Sequence, residues 1–142
     1  MSEKASNAFS AEEKAAMRAA VAESKRAKSA EADAAACAEA IAAMGPADRK
    51  IAEKVHGLIT AAVPELLPKT WYGMPAYTNG DGKVVVFFKP GEKFKSRVCT
   101  LGFEDAAALD DGTFWPTSYA ITGIGAAEEK AITALVKKAA GA

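Results

Sequence analysis

Ile51, Val55, Leu58, Ile59, Ala62 and Val63 recur at i, i+4, i+7, i+8, i+11 and i+12, an unbroken apolar stripe along one side of a helix. A stripe this continuous must be covered by another layer, because one helix cannot bury its own apolar face. Gly45-Pro46 marks the start, since glycine closes the segment before it and proline is tolerated in a first turn. Pro64 and Pro68 stop the pattern. From Lys69 it gives way to short β-branched and aromatic runs separated by glycine, so the covering layer is a sheet.

Asn79-Gly80-Asp81-Gly82 lies between PAYT and KVVVFF and predicts a hairpin in which residues 76–78 pair with 83–89, because Asn, Asp and Gly accept the positive φ of tight turns. Val84 to Phe88 is apolar throughout, as in a central strand covered on both faces, or with one face covered by helix and the other by long side chains. A further strand is expected over 97–101, a short helix in FEDAAALDDG ending at Gly112, a last strand or extended segment in WPTSYAIT, and a closing helix over 126–139 with Ile132, Leu135 and Val136 inward. The order predicts a two-layer α+β fold, a small and mainly antiparallel sheet with helices packed on one face. Gly73 and Pro75 are expected to bend the chain before the hairpin, and alternation to send Trp71 and Tyr72 to opposite faces.

The first 44 residues differ in kind, with 18 alanines and Phe9, Met17, Val21, Ile41 and Met44 as the large apolar side chains after the initiator. Ser10 with Glu13 reads as a capping box opening a helix over 11–28 whose apolar stripe is thin. Cys37, Ile41 and Met44 share a helical spacing, so the second part of the arm should pack, with Cys37 as a small core residue. The chain is read as an Ala-rich arm, 1–34, and an α+β domain, 35–142.

Eighteen Lys plus Arg balance eighteen Asp plus Glu, which argues against general nucleic-acid or anionic-membrane binding. No apolar run approaches the ~18 residues of a membrane span. Cys37 and Cys99 form no CxxC pair and the start carries no apolar leader, which makes the cytoplasm the expected compartment.

Two groups of side chains carry chemistry. Lys83, Lys89, Lys93, Lys95 and Arg97, opposed between them only by Glu92, interleave with Phe87, Phe88 and Phe94 and follow Trp71, Tyr72 and Tyr77. Cations and aromatic faces together suit an anion or a flat ring; read alternatively, the phenylalanines are core and the lysines are the wet side of a strand and its hairpin. The expected ligand cleft is lined by Tyr72, Met74, Tyr77 and Trp115 and edged by Lys93, Lys95 or Arg97. Glu104, Asp105, Asp110 and Asp111 put four carboxylates in eight residues with no interleaved base, and they are the candidate metal ligands, read alternatively as helix-capping and turn residues. His56, the single histidine, lies beside the apolar stripe and is read as a boundary packing residue. With no GxSxG, no phosphate-cradling glycine loop and no closed zinc set, the expectation is a non-enzymatic binding domain.

The run VPELLPKTWYGMPAYTNGDGKVVVFFKPGEKFKSRVCTLGF, then DDGTFWPTSYAI and the closing ALVKKA, resembles the YdhG-like family of small bacterial domains, some described as frataxin-like iron chaperones. The similarity spans about residues 35 to 140 and is clearest at Tyr72-Gly73-Met74-Pro75. It implies a frataxin-like sheet with helices on one face, and makes iron a possible ligand of the domain. The alternative is a protein–protein interaction module without a small-molecule ligand.

Overall fold

The computed structural model describes residues 9–25 and 29–141. Its elements are helices α1 (Ala11–Lys25), α2 (Ala30–Ala42) and α3 (Pro46–Ala62), strands β1 (Leu67–Trp71), β2 (Met74–Thr78), β3 (Val84–Lys89), β4 (Cys99–Phe103) and β5 (Ser118–Ile121), and helix α4 (Ala126–Ala139). The strands form one antiparallel sheet in chain order, β1-β2-β3-β4-β5. The fold is α+β. Among the described residues no helix is long and apolar enough to cross a membrane.

Register fixes which residues share a face. Tyr77 stands opposite Val86, Val86 opposite Phe103, Phe88 opposite Leu101 and Leu101 opposite Tyr119, and this row meets the helices. Cys37 and Ile41 of α2, Val55 and Ile59 of α3, and Ile132 and Val136 of α4 join Tyr77, Phe88 and Leu101 in one buried cluster. The stripe of α3 is buried as its spacing predicts, with Ala52, Val55 and Ile59 innermost.

The second face carries Trp71 opposite Met74, Ala76 opposite Phe87, and Phe87 opposite Gly102. Here the structure adds to the expected layout. Helices α2 to α4 lie on the first face, and α1 crosses the second at the end where β1 turns into β2, with Ala19 against Gly73. The capping box of α1 forms as read, the Ser10 amide donating to Glu13 Oε1 at 2.8 Å and the Glu13 amide to Ser10 Oγ at 3.1 Å. Residues 26–28, the end of the expected first helix, lie outside the described residues. The boundary at 34/35 falls inside α2, which is N-capped by Ser29, whose hydroxyl accepts the Ala32 amide at 3.0 Å.

The 79–82 hairpin is held by Asn79, whose Oδ1 accepts the Asp81 and Lys83 amides, both at 3.0 Å. A β-type pattern was expected from Lys69, but strand β1 was not set out as a strand of its own, because Pro68 read only as a stop. In the structure Trp71 pairs with Met74 across a two-residue turn in which Tyr72 (φ 53) and Gly73 (φ 78) both take positive φ. Tyr72 is therefore a turn residue and the expected face alternation ends at Trp71. Pro75, which has no amide to donate, sits buried in β2, and the β2–β3 ladder begins one residue later at Ala76. No bend interrupts β2 at Pro75; the reversal of direction falls at Tyr72-Gly73.

Residues 104–112 form turns and not the expected helix. The Glu104 amide donates to Val85 O, and the Ala108 amide to Ala139 O at the end of α4. Ala107 and Leu109 are both buried, an extended spacing, so tertiary partners outbid local helix propensity.

Candidate functional site

The expected cleft does not form as a unit. Met74 and Tyr77 are three residues apart in β2 and so point to opposite faces. Tyr77 is fully buried on the helix side, where its Oη lies 2.9 Å from His56 Nδ1 and meets the Cys37 thiol. Burial raises the Tyr77 hydroxyl well above its ordinary value and pushes Cys37 up to about 11, while desolvation lowers His56. Tyr77 thus stands between the buried Cys37 thiol and the half-buried His56 ring, on the helix side of the sheet.

Trp115 is half-buried against the main cluster, on the segment leading into β5. Residues 93–97 lie beyond Lys89, at the other end of the strands, since Lys89 pairs with Thr100 whereas the Phe103 amide donates to Thr117 O. Tyr72 is exposed in its turn, its ring edge-on to Trp71 at 5.0 Å. Lys93 donates its amide to Asp48 Oδ2 at 3.1 Å. Lys95 ends the short 3-10 turn Glu92–Phe94 in the left-handed region, its Nζ 3.9 Å from Glu12 Oε1. Arg97 is exposed. Of the seven expected residues only Met74 lines a cleft with an aromatic and basic rim, and the partners it finds there are different ones.

That cleft, about 320 Å³, opens between α1 and the second sheet face. Its floor is Trp71, Met74 and Phe87, with Trp71 and Phe87 5.2 Å apart and tilted by 55°. Phe94 closes one side, and Lys89 Nζ stands 5.1 Å from its ring centroid with Lys93 Nζ at 5.7 Å. The roof is Phe9, Glu13, Ala16 and Met17 of the α1 region, at i, i+4, i+7 and i+8. This spacing is the sequence signal that α1 carries one committed face. Hydrogen bonds from the Ser10 amide and hydroxyl, with a smaller contribution from Lys89, hold the Glu13 carboxyl below its ordinary range.

Glu23 anchors the far end of α1. Its carboxylate accepts the Tyr72 amide at 2.9 Å and the Gly73 amide at 3.0 Å, the two outward amides of the β1–β2 turn. Glu12 Oε1, by contrast, is buried without a hydrogen-bond partner and has only the distant Lys95 beside it. No described residue of α1 is fully buried. The helix is thus tied at its ends over an aromatic floor that it covers incompletely.

Asp48 is the buried carboxylate of the domain. It is 3% exposed at the start of α3, and accepts the Glu92 and Lys93 amides, each at 3.1 Å, and the Cys99 thiol at 3.6 Å. It clamps the basic 3-10 turn to the helical layer, and burial, with Asp48 adding to it, raises the Cys99 thiol.

Glu104, Asp105, Asp110 and Asp111 are all exposed. Among the described residues no three His, Cys, Asp or Glu side chains gather as a metal site. Hard cations need several ionised oxygens converging on one point, and these four carboxylates do not fit iron.

No protein-family model, curated protein or solved structure matches this chain.

Proposed function

We propose that this is a non-enzymatic YdhG-like binding domain that takes a flat, anionic organic ligand in the cleft beneath α1. The observation that carries this reading is the juxtaposition of Trp71, Phe87 and Phe94 with Lys89 around one apolar cavity. Ring faces supply contact area and Lys89 supplies the countercharge, so the ligand would be aromatic or amphipathic with one acidic group. The resemblance that suggested iron finds no support in the donor geometry, and the organic ligand takes its place. A second reading, a protein interaction module, is favoured by Phe114, a 92% exposed aromatic beside Asp110 and Asp111.

The test uses 8-anilinonaphthalene-1-sulfonate, a flat anion, with Trp115→Phe as background so that Trp71 is the sole indole. Energy transfer from Trp71 to the bound dye is expected, weakened about tenfold by Lys89→Glu and by Phe87→Ala. Dye uptake indifferent to both changes would sink the reading.

A further inference from the structure

The two edges of the sheet are built differently. The two-residue turn makes Trp71 and Met74 a hydrogen-bonded pair, so Lys69 also bonds to β2, and Pro68 and Thr70 direct their backbone outward. Proline offers no amide there, and α2 lies against this strand. Edge β1 is closed to another strand.

Edge β5 is not. The Phe103 amide donates to Thr117 O, and the alternation that follows makes Leu101 with Tyr119 and Cys99 with Ile121 the bonded pairs. The amides and carbonyls of Ser118 and Ala120 therefore point away from β4, and no described residue takes them. Nothing in SYAI guards the edge: it holds no charge, no proline and no bulge. On the helix-facing side, Tyr119 and Ile121 stand across from Ile132 and Leu135 of α4, and between them opens an apolar groove of about 520 Å³ floored by Leu101.

We propose that β5 and α4 form a docking groove for an extended segment of a partner protein, which adds a sixth strand and sets two apolar side chains, at i and i+2, into the groove. The unpaired backbone at Ser118 and Ala120 demands an extended chain, and the strand period sends every second side chain of that chain to the helix side. Glu128 is the one charged residue on the groove wall, so a basic residue flanks the apolar pair. Its carboxylate already accepts the Gly125 amide at 2.8 Å, which leaves that end unsuited to a chain-terminal carboxylate; the segment is internal. A second copy of this chain fits less well. Paired antiparallel about Tyr119, its β5 would offer the groove Tyr119 and the polar Thr117.

The experiment titrates the full chain with a blocked peptide, acetyl-Lys-Thr-Val-Thr-Ile-Thr-Lys-amide, and follows backbone amides by NMR. Shifts at Ser118, Ala120 and Leu135, with slowed exchange of the Ser118 and Ala120 amides, are expected. Ala120→Pro deletes an outward donor without touching the β4 ladder and should weaken binding at least tenfold, and Leu135→Asn should do the same through the wall. A peptide with Asp for Val and Ile should not bind. Binding that ignores both variants, shifts confined to other surfaces, or no binding at millimolar peptide would overturn the proposal. So would a peptide-independent dimer that protects the Ser118 and Ala120 amides, since the occupant would then be a second copy.

Discussion

Phe87 and Gly102 stand opposite each other in the β3–β4 register, the end of the ring so close to the glycine that a Cβ there would overlap Phe87 Cζ. Gly102 is thus the seat of an aromatic side chain that also floors the cleft. The strand accepts a residue without a side chain because its neighbour supplies the cover.

Gly102→Ala should displace the Phe87 ring and cost roughly 1–3 kcal/mol, read as a lower urea midpoint. Phe87→Ala removes the obstacle, so the double variant should be more stable than the sum of the two single losses predicts. Strict additivity would mean that the ring does not rest on the glycine.

His56 gives stability a defined pH dependence. Its imidazole is held below its ordinary 6.5 by desolvation, so the unfolded chain takes up this proton before the folded protein does. Its contribution is complete above about 6.5 and is lost as pH falls through the lower folded value. The urea midpoint should therefore begin to drop as pH falls below about 6.5. In His56→Gln that slope should flatten; an unchanged slope would place the titrating group elsewhere.

The β1–β2 turn should be sensitive to torsion and not to space. A Cβ on Gly73 would meet only Ala19 at an ordinary 3.4 Å, but its φ of 78° strains any other residue. Gly73→Ala is expected to cost about 1–2 kcal/mol. Gly80→Ala, with nothing within 4 Å and no positive φ, should stay within about 0.5 kcal/mol. Equal tolerance in thermal unfolding would remove the case for a strained turn.

Removal of residues 1–29 should leave a domain with one cooperative unfolding transition, because no described residue of α1 is fully buried. In the Trp115→Phe background the emission of Trp71 should move to the red as its roof is lost. Loss of cooperativity would make α1 part of the core.

The helical layer was legible because period and punctuation agreed: the Ile51 to Val63 stripe, the Ser10–Glu13 box and the Ile132/Val136 pair all lie where spacing puts them. The Asn79 hairpin followed from turn chemistry. Strand β1 was hidden, since Pro64 and Pro68 read as stops and Tyr72 is an unusual occupant of a positive-φ turn. The helix expected over 104–112 failed because its amides bond to Val85 and Ala139, partners that no local pattern announces. For the candidate site, the aromatic and basic composition was visible but its grouping was not. Strand alternation alone separates Met74 from Tyr77, and only the register of β3 on β4 puts Trp115 and residues 93–97 at opposite ends.

The chain-order sheet also has a consequence for how it is assembled. Each strand pairs with its neighbour in sequence, so every closure is local, yet the closures are not equal. The cost in chain entropy rises with loop length, from the tight turn at Tyr72-Gly73, through the Asn79 hairpin, to the long excursion over 104–117 that precedes β5. Among these strand-to-strand closures, the one that places β5 carries the largest loop-closure cost.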